Sequence, residues 1–180
     1  MAIFFTSDSH FGDHRVLNIW KRPFGSVAEM DLALVEAWNK AVGRDDEVWH
    51  LGDFARRAGD VPALLARLNG VKHLVRGNND PGATLAAAGW ASVQDYRELE
   101  VEGMRLVLCH YPFRSWNGQH KGAVNLHGHS HGRLKPMPRQ VDVGVDAWPW
   151  RPVGLEALLA RRGAAADPVG RGAAAALGEE

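Results

Sequence analysis

Short apolar, β-prone runs recur along the chain, and most of them stop at a glycine or at a side chain able to bind a metal. Residues 3–6 read as a buried strand that breaks at Ser7-Asp8. Ser26-Val27-Ala28-Glu29 is a capping box, and Met30, Leu34, Trp38 and Val42 then recur at helical spacing until Gly43. Residues 47–51 form a second strand, followed by Gly52-Asp53. Asp60 is the expected cap of a short helix with Leu64, Leu65 and Leu68 on its apolar face, stopped by Asn69-Gly70. Residues 71–75 form a third strand ending in Gly77-Asn78-Asn79-Asp80. Pro81 suits the start of a helix through Leu85.

The second half changes character. Residues 96–101 alternate as a half-exposed strand, Glu102-Gly103 is a hairpin turn, and 104–109 is the partner strand, ending at His110. Residues 123–126 enter His127-Gly128-His129-Ser130-His131. Residues 141–145 are the last strand, and 155–161 a closing helix ended by Gly163. Strands alternating with helices, then a hairpin-rich half, predict an α/β domain over residues 1–163, with the Ala/Gly-rich segment 164–180 as a mobile tail.

Composition narrows the function. The 180 residues are 46% hydrophobic, enough for one substantial core. The 21 basic and 21 acidic residues cancel, which argues against a protein built to clamp a nucleic-acid backbone, so no stable nucleic-acid complex is expected. One cysteine, Cys109, allows no internal disulfide. The N-terminal apolar run is too short for a signal peptide or membrane span. A cytoplasmic protein without membrane contact is expected, and its oligomeric state is left open.

The nine histidines are the unusual feature. Asp8 and His10 follow the first strand, Asp53 the second and Asn78 the third. His110 ends the hairpin strand, and His129 and His131 follow the next. Strand ends in an open α/β sheet converge on one edge, where ligands bind. Seven donors of mixed oxygen and nitrogen character suit two adjacent cations better than one tetrahedral zinc. The shared ligand should be a carboxylate, and Asp53 is the candidate. Such ligands suit Mn²⁺, Fe²⁺ or Zn²⁺, with Mn²⁺ favoured.

The ordered set Asp8-x-His10, Gly52-Asp53, Gly77-Asn78-x-Asp80, His110 and Gly128-His129-Ser130-His131 resembles the calcineurin-like metallophosphoesterase family. Thr6-Ser7-Asp8-Ser9-His10-Phe11-Gly12, Arg22-Pro23-Phe24, Trp38-Asn39 and His50-Leu51-Gly52-Asp53-Phe54 are similar to its small bacterial and phage-type branch. The resemblance implies two facing β-sheets flanked by helices. It implies one metal held by Asp8, His10, Asp53 and His131, and another by Asp53, Asn78, His110 and His129. The reaction it implies is hydrolysis of a phosphate ester by metal-bound hydroxide.

Two departures from that family pattern bear on the substrate. The family has histidine where this chain has Asn79, and Asn79 can donate a hydrogen bond but no proton. Losing a general acid costs most with a poor leaving group, so phosphodiesters of nucleotides or related small molecules are the expected substrates. The branch also tends to have histidine where Asp13 stands; His14 follows and could substitute as acid in a phosphomonoesterase. A partner-binding scaffold on this fold is the non-catalytic alternative. Asn79 and Asp80 are assigned to catalysis, Asn79 also to the substrate phosphate, with Asp80 supporting the site or capping the helix that begins at Pro81. His14, Tyr111 and Arg114 are candidate substrate contacts. His50 and His127 are expected to pack or to orient ligands, His73 and His120 to lie at the surface, and Trp148-Pro149-Trp150 to pack.

Overall fold

The computed structural model describes residues 1–165, with side chains up to Arg161. Two mixed sheets face each other. The first has five strands in the order β4-β3-β2-β1-β9: β1 (Ile3–Thr6), β2 (Glu47–His50), β3 (Val71–Val75), β4 (Trp90–Gln94) and β9 (Val153–Gly154). Strands β1 to β4 are parallel and β9 runs antiparallel against β1. The second sheet has the order β5-β6-β7-β8: β5 (Arg97–Val101), β6 (Met104–Leu108), β7 (Val124–His127) and β8 (Gln140–Asp142). Its β5-β6 pair is the hairpin expected at Glu102-Gly103, and β6, β7 and β8 are parallel.

Side-chain alternation divides the interior into layers. Phe5, Trp49, Leu51 and Val75 meet Leu106, Leu108, Leu126 and Val143 between the sheets. The next residue along β2, Val48, faces the other way, into a second core under α2 (Val27–Ala41) and α3 (Val61–Arg67). Across the outer face of the second sheet lies the 111–123 loop, pinned by buried Trp116, whose indole N–H donates to the Ala123 carbonyl (3.0 Å). These layers form the two-sheet, helix-flanked α/β arrangement expected from the sequence.

Local differences have physical causes. Ser26 caps α2 by accepting from the Glu29 N–H (3.1 Å), but Glu29 reaches back to Gly25 rather than to Ser26. Asp60 precedes α3 without a side-chain capping bond, because a 3-10 turn (Ala58–Asp60) already leads the chain into the helix. Helix α5 (Leu155–Ala165) continues through Gly163 instead of ending there; the rest of the expected tail lies outside the described residues. Only part of 141–145 is a regular strand. Val143 donates to His127 in the second sheet, and Val145 donates to Ser7 beside the first, so this segment crosses between sheets. The short helices α1 (Arg15–Ile19) and α4 (Gly82–Leu85) complete the architecture. Trp148 and Trp150 pack against the two cores, as expected. No helix among the described residues is long and apolar enough to cross a membrane.

Candidate metal centre

The carboxyl ends of β1, β2 and β3 lie along one edge of the first sheet, and those of β6 and β7 meet them from the second. The loops leaving these ends are tied together by their backbones: Asp8 N–H donates to Gly52 (2.9 Å), His10 to Asp53 (3.0 Å) and Gly128 to His110 (3.0 Å). Close approach requires residues without a side chain. A Cβ on Gly77 would collide with the Asp53 carboxylate, and one on Gly128 with Ser7 and Asp8. Asp8, His10, Asp53, His129 and His131 all hold a positive φ, and they are five of the nine non-glycine residues that do so among those described. Left-handed backbone costs such residues free energy, and its concentration here marks a site where side-chain direction outranks local comfort.

Donor atoms converge in two overlapping groups. Those of Asp8, His10 and His131 lie within 4.8 Å of one another, and so do those of Asp8, Asp53 and His110. Asp8 is common to both groups, but Asp53 splits its oxygens between them. Its Oδ2 lies 3.6 Å from His10 Nε2 and its Oδ1 lies 3.7 Å from His110 Nε2. Asn78 Oδ1 stands 2.9 Å from His110 Nε2 and 2.9 Å from His129 Nδ1. All seven candidate ligands are therefore brought to one place. Five are buried; Asn78 and His129 are exposed.

Two histidines have their free nitrogen fixed by the partner of the other. His110 Nδ1 donates to the Leu51 carbonyl (2.7 Å), which leaves Nε2 as a lone pair in the neutral ring. In that tautomer the lone pair faces the Asn78 oxygen, another acceptor, at 2.9 Å. His131 Nδ1 donates to Asp146 (2.7 Å), so its Nε2 points toward Asp8 Oδ1 at 3.7 Å. His10 Nε2 is buried without a hydrogen-bond partner. Converging lone pairs, an orphaned imidazole nitrogen and two buried carboxylates fit a cation.

The electrostatics agree. Burial, with Asp142 and Asp53 adding like charge, raises the Asp8 carboxyl well above the ordinary range. Burial lowers His10 to about 4, against the pull of Asp53. Burial lowers His110 as well. Uncompensated carboxylates beside neutral imidazoles are the charge state that metal binding favours.

Arg22, which the sequence offered as a substrate contact or a structural residue, proves structural, and Trp20, Asp142 and Asp146 escaped the sequence reading. Arg22, whose side chain is fully buried, grips Asp146 with two bonds (2.9 and 2.7 Å) and donates to the Asp8 and Ser9 carbonyls (2.7 and 3.0 Å). Burial would raise Asp146, but the bonds from His131 and Arg22 bring it below its usual value. Trp20 stacks on His131 at 3.8 Å. Asp142 accepts from Ser130 (2.5 Å), Gly132 (2.8 Å) and Gly144 (2.7 Å), shaping the loop that carries His129 and His131. These bonds span up to 124 positions of chain, and neither aspartate stands in a local motif.

The remaining candidates divide. Asp80 sits under the site and accepts from the N–H groups of Asp53 (2.8 Å), Phe54 (2.9 Å) and Gly77 (2.8 Å), so it fastens two ligand loops together rather than capping α4. Asn79 is exposed and holds Asp53 twice, from its backbone (2.7 Å) and its side-chain amide (2.6 Å). Tyr111 is exposed beside the site, its ring 4.8 Å from that of His129. Arg114 is exposed in the same loop. His14 is exposed at the start of α1 and is not brought into the cleft; Arg15 lines it instead. His50 is buried on Trp38 and Ser9, and burial lowers it to about 3. His127 is buried, its Nδ1 donating to the Gly128 carbonyl (2.8 Å). His73 is half-buried rather than a surface residue: it stacks on Trp49 at 4.4 Å and bonds Ser92.

Sequence comparison agrees with this geometry. Residues 1–143 match the calcineurin-like phosphoesterase superfamily domain, and the chain belongs to that family of phosphoesterases. It is 31% identical over 182 residues to the Gene 66 protein of Mycobacterium phage D29, covering 81% of this chain and 88% of that protein. It is 29% identical over 167 residues to an uncharacterized protein of Methanocaldococcus jannaschii, covering 87% and 89% of the two chains. A protein of unknown function from Aquifex aeolicus has the same fold, with a TM-score of 0.72 at 21% identity over 89% of this chain and 98% of its own.

Proposed function

We propose that this protein hydrolyses phosphodiesters of nucleotides or related small molecules with the help of two divalent cations, Mn²⁺ being the favoured metal. Asp8, His10, Asp53 and His131 would hold one, and Asp53, Asn78, His110 and His129 the other. The observation that carries the reading is the meeting of His110 Nε2 and Asn78 Oδ1 at 2.9 Å, a spacing at which both lone pairs can turn to one cation beside them. The division of Asp53 oxygens toward His10 and His110 supports its role as the shared ligand, although Asp8 also touches both groups. Two such ions supply Lewis acidity for activating water and neutralising phosphoryl oxygens.

The rest of the chemistry belongs to the chain. Leu51 and Asp146 hold the His110 and His131 rings so that their lone pairs face inward. Asp80 is a positioning residue for Asp53. Asn79 steadies the Asp53 carboxylate and keeps one amide hydrogen for a phosphoryl oxygen of the substrate. It cannot protonate a leaving alcohol, which favours diesters with stable leaving groups over alkyl monoesters. Tyr111, beside the His129 ring, would meet the rest of such a substrate, and Arg114 in the same loop is the second contact proposed. Cys109, a buried free thiol, suits a reducing compartment such as the cytoplasm.

The test compares bis-p-nitrophenyl phosphate with p-nitrophenyl phosphate in Mn²⁺, before and after chelation. Faster diester turnover, lost with chelator and restored by metal, is expected. Faster monoester turnover would overturn the diester preference. Absence of turnover and of bound metal across Mn²⁺, Fe²⁺ and Zn²⁺ would make this a scaffold.

A further inference from the structure

The cleft above the donor atoms, about 230 Å³, has two unlike walls. One carries His10, Asp53, Asn78, His129 and His131. The other is α1 and the residue after it, presenting Arg15, Ile19 and Trp20. Among the described residues that line the cleft, no acidic proton donor stands apart from the candidate metal groups. Its three histidines and Asp53 belong to the candidate metal groups, and Asn79 has no acidic proton. Asp13, the other carboxyl lining it, has both oxygens engaged by Arg15.

Arg15 itself is held in one attitude. Its backbone N–H (3.0 Å), Nε (2.9 Å) and Nη2 (2.6 Å) all bond the Asp13 carboxylate, which is buried to 1% exposure. The Arg15 side chain is 43% exposed and lines the cleft, and its bonds to Asp13 use Nε and Nη2. A surface ion pair needs no buried carboxylate to steady it; a guanidinium that must meet an anion at a set position does. Its planar fork matches a phosphate, and it stays charged at any working pH.

We infer that Arg15 receives the departing group of the substrate and that this group is itself a phosphate, so that the preferred substrate is a diester of diphosphoric acid cut at its phosphoanhydride bond. This narrows, and rests on, the phosphodiesterase reading. Water oxygen bonds to one phosphorus, and the bridging P–O bond breaks with its electron pair on the departing phosphate. The water hydrogens end on the product phosphates or in buffer. The departing oxygen is stable as an anion, so no acid is required, and Arg15 binds the charge that has moved there.

The experiment measures kcat/KM of the full chain in Mn²⁺ for a dinucleoside diphosphate, the matching 3′,5′-dinucleoside monophosphate and bis-p-nitrophenyl phosphate. The diphosphate should lead the monophosphate by about tenfold or more, since an alcohol departs poorly without an acid. Arg15→Met should cut the diphosphate rate about 100-fold, some tenfold more than it cuts bis-p-nitrophenyl phosphate, and Arg15→Lys should recover part of that difference. If Arg15→Met does not fold, as judged by circular dichroism, Asp13→Asn must give the same selective loss. Equal losses on all three substrates would reduce Arg15 to an anchor of α1 and overturn the inference. So would a monophosphate turned over as fast as the diphosphate, or a monophosphate rate that Tyr111→Phe lowers while leaving the diphosphate rate unchanged. In those cases bis-p-nitrophenyl phosphate is still hydrolysed and the phosphoesterase reading stands; inertness toward all three substrates would remove both.

Discussion

His131 and His129 lie two residues apart on one loop and are built into the protein in different ways. His131 is buried, donates to Asp146, and stacks on Trp20. Asp146 is held in turn by buried Arg22, which also ties down the Asp8 and Ser9 carbonyls. His129 is exposed; its Nδ1 meets only Asn78, itself exposed. One side of the centre is thus set before any ligand arrives, and the other stays open to solvent, where substrate must enter. A preformed arrangement spares the ordering cost at the moment of binding, while an open rim lets groups come and go. Asp53 joins the two sides, and the predictions run outward from it.

Asp53→Ala should have the largest effect. It removes the carboxylate whose two oxygens lie 3.6 Å from His10 Nε2 and 3.7 Å from His110 Nε2. If the shared ligand supplies several kcal/mol of charge stabilisation, turnover of bis-p-nitrophenyl phosphate falls on the order of a thousandfold. Metal content by mass spectrometry should fall with it. Retention of two tightly bound ions per chain would break the assignment of Asp53 as the bridge.

Next comes Asp146→Ala, which attacks the braced side without touching a candidate ligand. The Arg22 side chain, 0% exposed, loses its ion partner. Leaving a buried charge unpaired costs about 3–5 kcal/mol, which in a protein of this size lowers Tm by roughly 10 °C. His131 also loses the acceptor that orients it, and metal affinity should drop about 10–100-fold. A melting curve and a metal titration separate the two effects. An unchanged melting point would show that the bracing is ornamental to the fold.

Acidification probes the same buried side through protons. Burial holds His50 at about 3 and His10 at about 4 in the folded chain, against 6.5 as the ordinary value. Below pH 6.5 the unfolded chain takes up protons that the folded chain refuses, so stability falls as pH drops toward those values. Each group contributes a loss of about 2 kcal/mol between pH 6.5 and 5. Asp8, raised by burial, acts in the opposite direction, because the folded chain gains by protonating it. With the histidines prevailing, chelator-treated protein should unfold at lower urea concentration at pH 5 than at pH 7. The reverse order would mean that the carboxylates control the balance.

The same contrast explains what could be read from the chain alone. Candidate ligands were legible because each follows a β-prone run or a glycine, so their convergence follows from parallel strand ends. The two facing sheets followed from the family resemblance, while the division of β2 between two cores, with Val48 and Trp49 facing opposite ways, came only with the structure. Edge strand β4 was not legible: its half-exposed alternation is weak, and its pairing to β3 carries a register shift. Two-residue β9 and five-residue α1 are too short for any period to show. Arg22–Asp146 and Ser130–Asp142 were illegible for another reason. A hydrogen bond between distant residues leaves no spacing in the sequence, and a lone aspartate looks alike whether it braces a histidine or faces water.

His129→Ala should be the gentlest change, and it sharpens the contrast most directly. The side chain is exposed and its one hydrogen bond goes to another exposed residue. Removing it exposes no buried polar group and opens no cavity, so the folding free energy should move by no more than about 0.5 kcal/mol. Under the two-cation proposal, removing a candidate ligand at an open rim should nevertheless weaken the second metal equivalent, on the order of tenfold, while the first stays in place. Titration of chelator-treated protein with Mn²⁺, followed by calorimetry, distinguishes these steps. A loss of both equivalents would mean that the two groups form a single cooperative unit, and that the open rim is as necessary to the centre as the braced wall behind it.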